Sequence, residues 1–169
     1  MPGIHKVARI ETVTMIVFTH PACVEHDPGD YHPERPDRLR AVLAALKGHE
    51  FEALAWREAP KAERAQIERV HDENYVDQIL ASVPKRGHLH LDPDTAMSPA
   101  SGEAALRAAG AAAAAVDAVM AGEAKNAFCA IRPPGHHAEH AQAMGFCLFN
   151  NAAIAALQAR AVHGLKRIA

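Results

Sequence analysis

Cysteine is scarce: Cys23, Cys129 and Cys147, an odd number without C-x-x-C spacing. That excludes a disulfide framework or a structural zinc knot as the basis of the fold, and leaves buried thiols acting as small hydrophobes. No apolar run approaches the roughly 18 residues that cross a bilayer. The longest alanine stretch, residues 108–116, contains Gly110 and is flanked by Arg107 and Asp117. A signal-peptide pattern is also missing, since Glu11 interrupts the N-terminal segment and Met15–Phe18 is too short to serve as its apolar core. A cytoplasmic location with no membrane partner is the expectation. Neither sign of charge dominates: 18 Lys and Arg stand against 20 Asp and Glu, a formal net charge of -2. A dedicated nucleic-acid binder usually shows a basic excess, so no nucleic-acid partner is expected.

What is abundant is alanine, with 37 residues, and histidine, with 12. Alanine loses no side-chain entropy in a helix and lets neighbouring elements approach closely, so tightly packed helices are expected. The histidines ask for a chemical explanation. The 169 residues suit one domain, and 49% hydrophobic residues provide enough apolar surface to offset chain entropy. Residues 1–14 show no clear period and read as a leader, a vector remnant or a misassigned start, with Met15 as the alternative beginning. No internal repeat is evident.

The segment from Thr12 to Phe18 is apolar and β-branched, which predicts a buried strand of a parallel sheet covered on both faces. His20 to Pro36, with four prolines, reads as a long loop of the functional kind. Pro36 opens a helix with Leu39, Val42, Leu43 and Leu46 on one face, stopped by Gly48. A short strand is expected around Leu54–Trp56. Helices follow over 62–70 and over Glu73–Ser82, the second capped by Asp72. Pro84–Pro99 is a second long loop. The longest helix is predicted from Ser101 to Ala121, then a strand over Asn126–Ile131 and a helix over Asn151–Arg160 capped by Asn150. Leu165–Ala169 reads as the start of a further strand. Strand, helix, strand, helix is the grammar of a parallel α/β sheet, whose ligands bind beyond the carboxyl ends of strands. Both histidine-rich loops, around His20–His32 and His136–His140, follow strands and are candidates to converge on one site.

The strongest chemical signal is Arg132-Pro-Pro-Gly-His-His-Ala138, followed by Met144-Gly-Phe-Cys-Leu-Phe-Asn-Asn151. Adjacent histidines in an extended segment point opposite ways, but a shaped Pro-Pro-Gly loop can present both to one cavity. Imidazole titrates near neutrality, so such a pair can supply a base and an acid in hydrolysis. The plainer alternative is a pair of structural histidines.

In these segments the chain resembles the histone deacetylase superfamily, which includes bacterial histone-deacetylase-like amidohydrolases and acetylpolyamine amidohydrolases. The likeness runs from about Met15 to Ala169. It includes His32-Pro-Glu-Arg-Pro-Asp-Arg38, Val70-His-Asp-Glu-Asn-Tyr-Val76 and Asp92-Pro-Asp-Thr-Ala-Met-Ser98, in the family's order, and Pro-Pro-Gly-His-His-Ala looks like its class II branch. The resemblance implies a three-layer α/β/α parallel sheet of the arginase/deacetylase type, incomplete at the C-terminus, with residues 15–169 as the N-terminal portion of a single deacetylase domain. It implies His137 as the general base and His136 as its electrostatic partner near the leaving amine. Gly145 would line the substrate channel, Phe146 would pack on the acyl-lysine stem, and Asp94, with Asp92 as the alternative, would hold the substrate backbone at the rim. For Asp94 a turn or capping role before Ser98-Pro99 stays open. His32, Glu34, Arg35 and Arg38 read as residues that order the entrance loop, His20 and His26 as solvated loop histidines with a place at the site rim as the alternative, and Tyr75 as a packing residue. His71, His88, His90 and His163 carry no ligand spacing.

The cofactor the resemblance implies is zinc, on an Asp-x-His pair and a more distant Asp that all belong beyond Ala169. Only Asp30-Tyr31-His32 has the right spelling in this sequence, inside the entrance-loop motif, and it is not assigned as ligand. The expected activity is therefore that of a zinc-dependent amidohydrolase removing an acetyl or similar acyl group from lysine or a polyamine, with this chain inactive alone. Its expected partners are the acetylated lysine or acetylpolyamine substrate and, across an exposed sheet edge, either a missing C-terminal portion or a second copy of itself. The alternative is a non-catalytic interaction or regulatory fragment that retains the scaffold. A manganese ureohydrolase on the related arginase fold is disfavoured, because that family lacks the His-His and Gly-Phe arrangement.

Overall fold

The computed structural model describes residues 13–169; the leader or misassigned start read over residues 1–14 lies almost wholly outside them. Strand β1 (Val13–Thr19) is the centre of a three-stranded parallel sheet, with β2 (Ala55–Glu58) on one side and β5 (Ala124–Cys129) on the other. Ile16 of β1 stands opposite Ala55 and Ala127, and Phe18 opposite Arg57 and Cys129. Because side chains alternate along a strand, β1 feeds two cores. Ile16 and Phe18 pack on Ala111 and Ala118 of α5 (Ser101–Met120). Val17 points the other way, onto Cys23 of α1 (Pro21–Glu25) and Leu39 of α2 (Pro36–Ala45). Helices thus cover both faces, which is why β1 is a continuous apolar run. Among the described residues, no helix is long and apolar enough to cross a membrane.

The alanines of α5 serve two interfaces at once. Ala111 and Ala118 meet the sheet. Ala105, Ala109 and Ala113 instead join a larger core with Ile67 of α3 (Arg64–Glu68), Tyr75, Val76 and Ile79 of α4 (Glu73–Ala81) and Ile154 of α6 (Asn151–Ala161). At Gly110 the approach is closer still: a β-carbon there would lie 2.1 Å from the Pro60 carbonyl oxygen. The Ala62 N–H donates to the Leu106 carbonyl at the same crossing, so residues 60–62 lie directly on the helix.

The helix caps follow the sequence reading. Asp72 accepts the Asn74 and Tyr75 amides, and Asn150 accepts the Ala153 amide. Three expectations need correction. The segment His20–Pro36 is not all loop: Pro21 at the first helical position, and a His20 Nδ1 that accepts the Ala22 amide, nucleate α1. Pro84–Pro99 contains a small antiparallel hairpin, β3 (Leu89–His90) with β4 (Ala96–Met97). Leu165–Ala169 forms no strand. Gly164 takes a left-handed φ of 69°, and the Leu165 amide turns back to the Ala159 carbonyl instead of entering a ladder.

Candidate active site

The site grows from the carboxyl end of β5. Ala130 still bonds the Phe18 carbonyl, and then Arg132 turns inward to an almost fully buried position before a cis Arg132–Pro133 peptide. Its guanidinium forks onto the Glu34 carboxylate at 2.5 and 2.7 Å, and also donates to the carbonyls of Cys23, His26 and Glu34. One buried ion pair therefore fastens the loop after β1 to the loop after β5. Gly135 follows, where a β-carbon would collide with Asn151 at 2.3 Å. The Gly135 carbonyl accepts the Ala152 amide, which seats the loop on the N-terminus of α6.

His136 and His137 then stand exposed, with ring centroids 4.3 Å apart and planes inclined by 53°. The chain returns through a tight turn, closed by reciprocal Met144 and Cys147 backbone bonds, with Gly145 and Phe146 both at positive φ (56° and 68°). That combination is the primed hairpin turn, unusual for a bulky residue such as Phe146. Gly145 lies flat against His137: a β-carbon on it would come within 2.8 Å of the ring.

Phe146 is fixed from two directions. Its amide donates to Thr95 Oγ1, and the Thr95 hydroxyl donates to Asp94 Oδ1. Its ring meets the His32 ring edge-on, 4.8 Å between centroids. His32 Nδ1 accepts the Glu34 amide, so Nε2 carries the proton and donates to the Asp94 carbonyl at 2.9 Å. Asp94 sits in an Asx-type turn whose amide is held by Asp92. The loop 28–33, His88, His90, Asp94 and Phe146 line an open groove of about 520 Å³.

All five residues singled out in the sequence thus belong to one connected patch: His136 on His137, Gly145 on His137, and Phe146 through Thr95 to Asp94. The groove itself is lined by Phe146 and Asp94, with the tandem histidines outside its lining. Of the histidines after β1, only His32 reaches this patch. His20 and His26 are not solvated loop residues. His20 caps α1, and His26 is buried with Nδ1 2.7 Å from Ser101 Oγ. Burial, helped by the Arg132 charge, pushes the His26 pKa down to about 3. Glu34 orders the entrance loop through Arg132, a partner the sequence reading did not name. Arg38 and Arg35 form only looser, solvent-exposed pairs. Tyr75 packs as expected and also donates its hydroxyl to the Leu148 carbonyl at 2.6 Å, with burial raising its pKa. His71 is a further buried group that spacing could not reveal. Its signal lay in the Val70–Val76 motif, but its partners His140 and Asn150 lie 69 and 79 residues away.

Among the described residues, no three His, Cys, Asp or Glu side chains are grouped to hold a metal. Both nitrogens of His32 are engaged by backbone groups, so Asp30-Tyr31-His32 is not a ligand pair. The described residues alone therefore do not assemble a zinc site.

The family described as the histone deacetylase domain matches residues 32–169. A histone deacetylase-like amidohydrolase of Pseudomonas aeruginosa is 42% identical over 139 residues, 82% of this chain and 36% of that protein. A probable deacetylase of Archaeoglobus fulgidus is 40% identical over 145 residues, 84% of this chain and 40% of its own length. The human polyamine deacetylase HDAC10 is 36% identical over 163 residues, 93% of this chain and 23% of that protein. The crystal structure of the HDA15 HD domain superposes with a TM-score of 0.81 at 34% identity, covering 89% of this chain and 44% of that one. The chain spans less than half the length of each of these relatives. By its matched sequence and its parallel α/β fold, the chain belongs to the histone deacetylase family.

Proposed function

We propose that this chain carries the base and channel portion of a zinc-dependent amidohydrolase that removes an acetyl or similar acyl group from lysine or a polyamine. The observation that carries the reading is the contact of His137 with Gly145 in a turn that also presents Phe146 beside Asp94. His137 accepts a proton from the water that attacks the amide carbonyl. His136, ring against ring, stabilises the charge so formed and assists protonation of the departing amine. Water is thereby split between a carboxylate product and a free amine. Gly145, lacking a β-carbon, leaves width for an extended acyl-amine stem. The Phe146 ring, braced by His32, gives that stem an apolar wall, and the Asp94 carboxylate at the rim accepts a hydrogen bond from the amine carrier. The metal ligands are not among the described residues, and these steps belong to the chain's own groups.

The test is reconstitution. The isolated chain is expected to turn over no fluorogenic acetyl-lysine substrate and to hold no stoichiometric zinc. Mixed with a polypeptide supplying the remainder of a related deacetylase domain, it is expected to gain activity, which His137→Ala lowers at least about 100-fold. Turnover by the isolated chain, or a reconstituted enzyme indifferent to His137→Ala, would overturn the assignment. A second reading, a non-catalytic interaction fragment, is favoured by the two apolar grooves beside β5, lined by Leu39, Val42 and Phe128 on one face and by Val116, Val119 and Met120 on the other. It predicts association without turnover.

A further inference from the structure

The loop from Arg132 to Asn150 has an outbound leg through the tandem histidines and a return leg through Gly145 and Phe146. The legs meet directly where the His136 amide donates to Cys147 Sγ at 3.5 Å and the Glu139 amide to the Gln142 carbonyl, and two further side chains bridge them. The Asn150 side chain is one, donating from Nδ2 to the Ala138 carbonyl while its Oδ1 caps α6. The other is His71, at the junction of α3 and α4, where it is 1% exposed. Its Nε2 accepts the Asn150 amide at 2.9 Å, on the return leg. A nitrogen that accepts an N–H carries no proton, so the neutral ring must carry its proton on Nδ1, which faces the His140 carbonyl at 3.2 Å on the outbound leg. The same carbonyl accepts the Asp72 amide, and the His140 ring reciprocates through Nδ1 to the Val70 carbonyl at 2.6 Å.

We infer that His71 is a positioning residue for the His136–His137 pair, its ring a two-ended tether that sets the spacing between the loop's outbound and return legs. Packing alone does not account for a histidine here. Its ring neighbours are Tyr75 and Phe149, at centroid separations of 5.3 and 5.6 Å, an environment that would accept phenylalanine equally well. What imidazole adds is one donor and one acceptor on opposite edges, each matched to a backbone group of a different leg. Burial lowers the His71 pKa, which keeps the acceptor nitrogen free of a proton. The spacing matters because Gly145 on the return leg lies against His137 on the outbound leg with no room for a methyl group. A loop that breathes by an ångström would lose that contact. The catalytic consequence rests on the function proposed above; the tether does not.

Amide exchange and ring spectroscopy on the full chain test it without using turnover. In the unaltered protein, long-range proton–nitrogen spectra should show His71 as the neutral Nδ1–H tautomer. It should remain so from neutral to mildly acidic pH. An Nε2–H tautomer, or a doubly protonated ring over that range, would overturn the inference even if no variant folds. His71→Phe keeps the ring and removes both bonds. It is expected to speed exchange of the Asn150, Glu139 and Met144 amides at least tenfold relative to those of α5, and to shift the His137 ring resonances. His71→Gln offers an acceptor to the Asn150 amide and should restore part of that protection. Loop exchange that changes only in step with α5, or not at all, would mean a merely packed histidine. In the reconstituted enzyme His71→Phe should lower kcat with KM within twofold, and His71→Gln should recover part of it. Absence of turnover there would count against the proposed function and leave the tether standing, whereas unchanged loop exchange would remove the tether and leave His137 as base.

Discussion

His26 shows how a single buried ring contributes to the pH dependence of stability. It is 2% exposed, bonded to Ser101, and 3.6 Å from a Glu34 carboxylate whose charge is already committed to Arg132. Its neutral form is favoured in the fold, with a pKa near 3 against 6.5 for a free imidazole. A depressed folded pKa means that the unfolded chain takes up the proton first. Stability is therefore complete above about pH 6.5 and falls as the pH drops towards 3, by about 2 kcal/mol at pH 5 from this group. Urea denaturation at pH 7.5 and pH 5 checks this: His26→Gln should reduce the difference by about 2 kcal/mol, and an equal difference in both proteins would refute it. The Glu34–Arg132 pair behaves differently. Glu34→Ala strands a buried guanidinium and is expected to cost about 3–5 kcal/mol in denaturation, whereas Arg38→Ala, on the exposed side of the same carboxylate, should cost no more than about 1 kcal/mol. At this scale the sequence displayed the chemistry but not the partners. His136, His137, Gly145 and Phe146 sit in one short run and could be read together. The pairings of His26 with Ser101 and of Arg132 with Glu34 cross 75 and 98 residues, and nothing local encodes them.

Elements were legible in proportion to how locally they are determined. Asp72 and Asn150 cap the helices that follow them because a cap is a contact within three residues. The helix α5 announces itself by composition. Short elements were not legible: α1 is five residues long and the β3–β4 ladder pairs only two residues on each strand, and the loops beyond them are joined across the chain, as when the Asp27 amide donates to Ser98 Oγ. The end of the chain shows the converse. Leu165 and Ile168 have strand-like character, yet a strand exists only when it is paired, and the Leu165 amide is turned back towards α6. The element most exposed to a single change is α5. Alanine normally stabilises a helix interior by about 1 kcal/mol over glycine. Gly110→Ala should do the reverse, because the new methyl would press on backbone atoms of residues 60–62, which cannot rotate away. Thermal and urea unfolding should register a loss of about 1–3 kcal/mol, the usual cost of overpacking. Unchanged or increased stability would show that the crossing at residues 60–62 is looser than described.

For the molecule as a whole, β5 is an outer strand of the sheet among the described residues. Phe128 is 43% exposed and lies beside Leu39 and Val42 at a groove of about 260 Å³, while Ala127 and Cys129 face the opposite way into a groove of about 400 Å³ against α5 and α6. An extended segment laid along β5 would send alternate side chains into the two grooves while its backbone paired with the edge that is open among the described residues. An unpaired strand edge flanked by apolar surface is a template for another chain. In isolation that chain is a second copy, so the protein should self-associate as its concentration rises, with Phe128 in the contact. Sedimentation velocity over a range of concentrations reads this directly. Phe128→Lys places a charge on the edge that must be desolvated if another strand is to pair there, and should move the population towards monomer without altering the unfolding transition of the monomer. If the variant associates as strongly as the unaltered chain, the β5 edge is not the contact. If neither associates, the grooves are closed to a second copy, and the interaction reading loses the observation that favoured it.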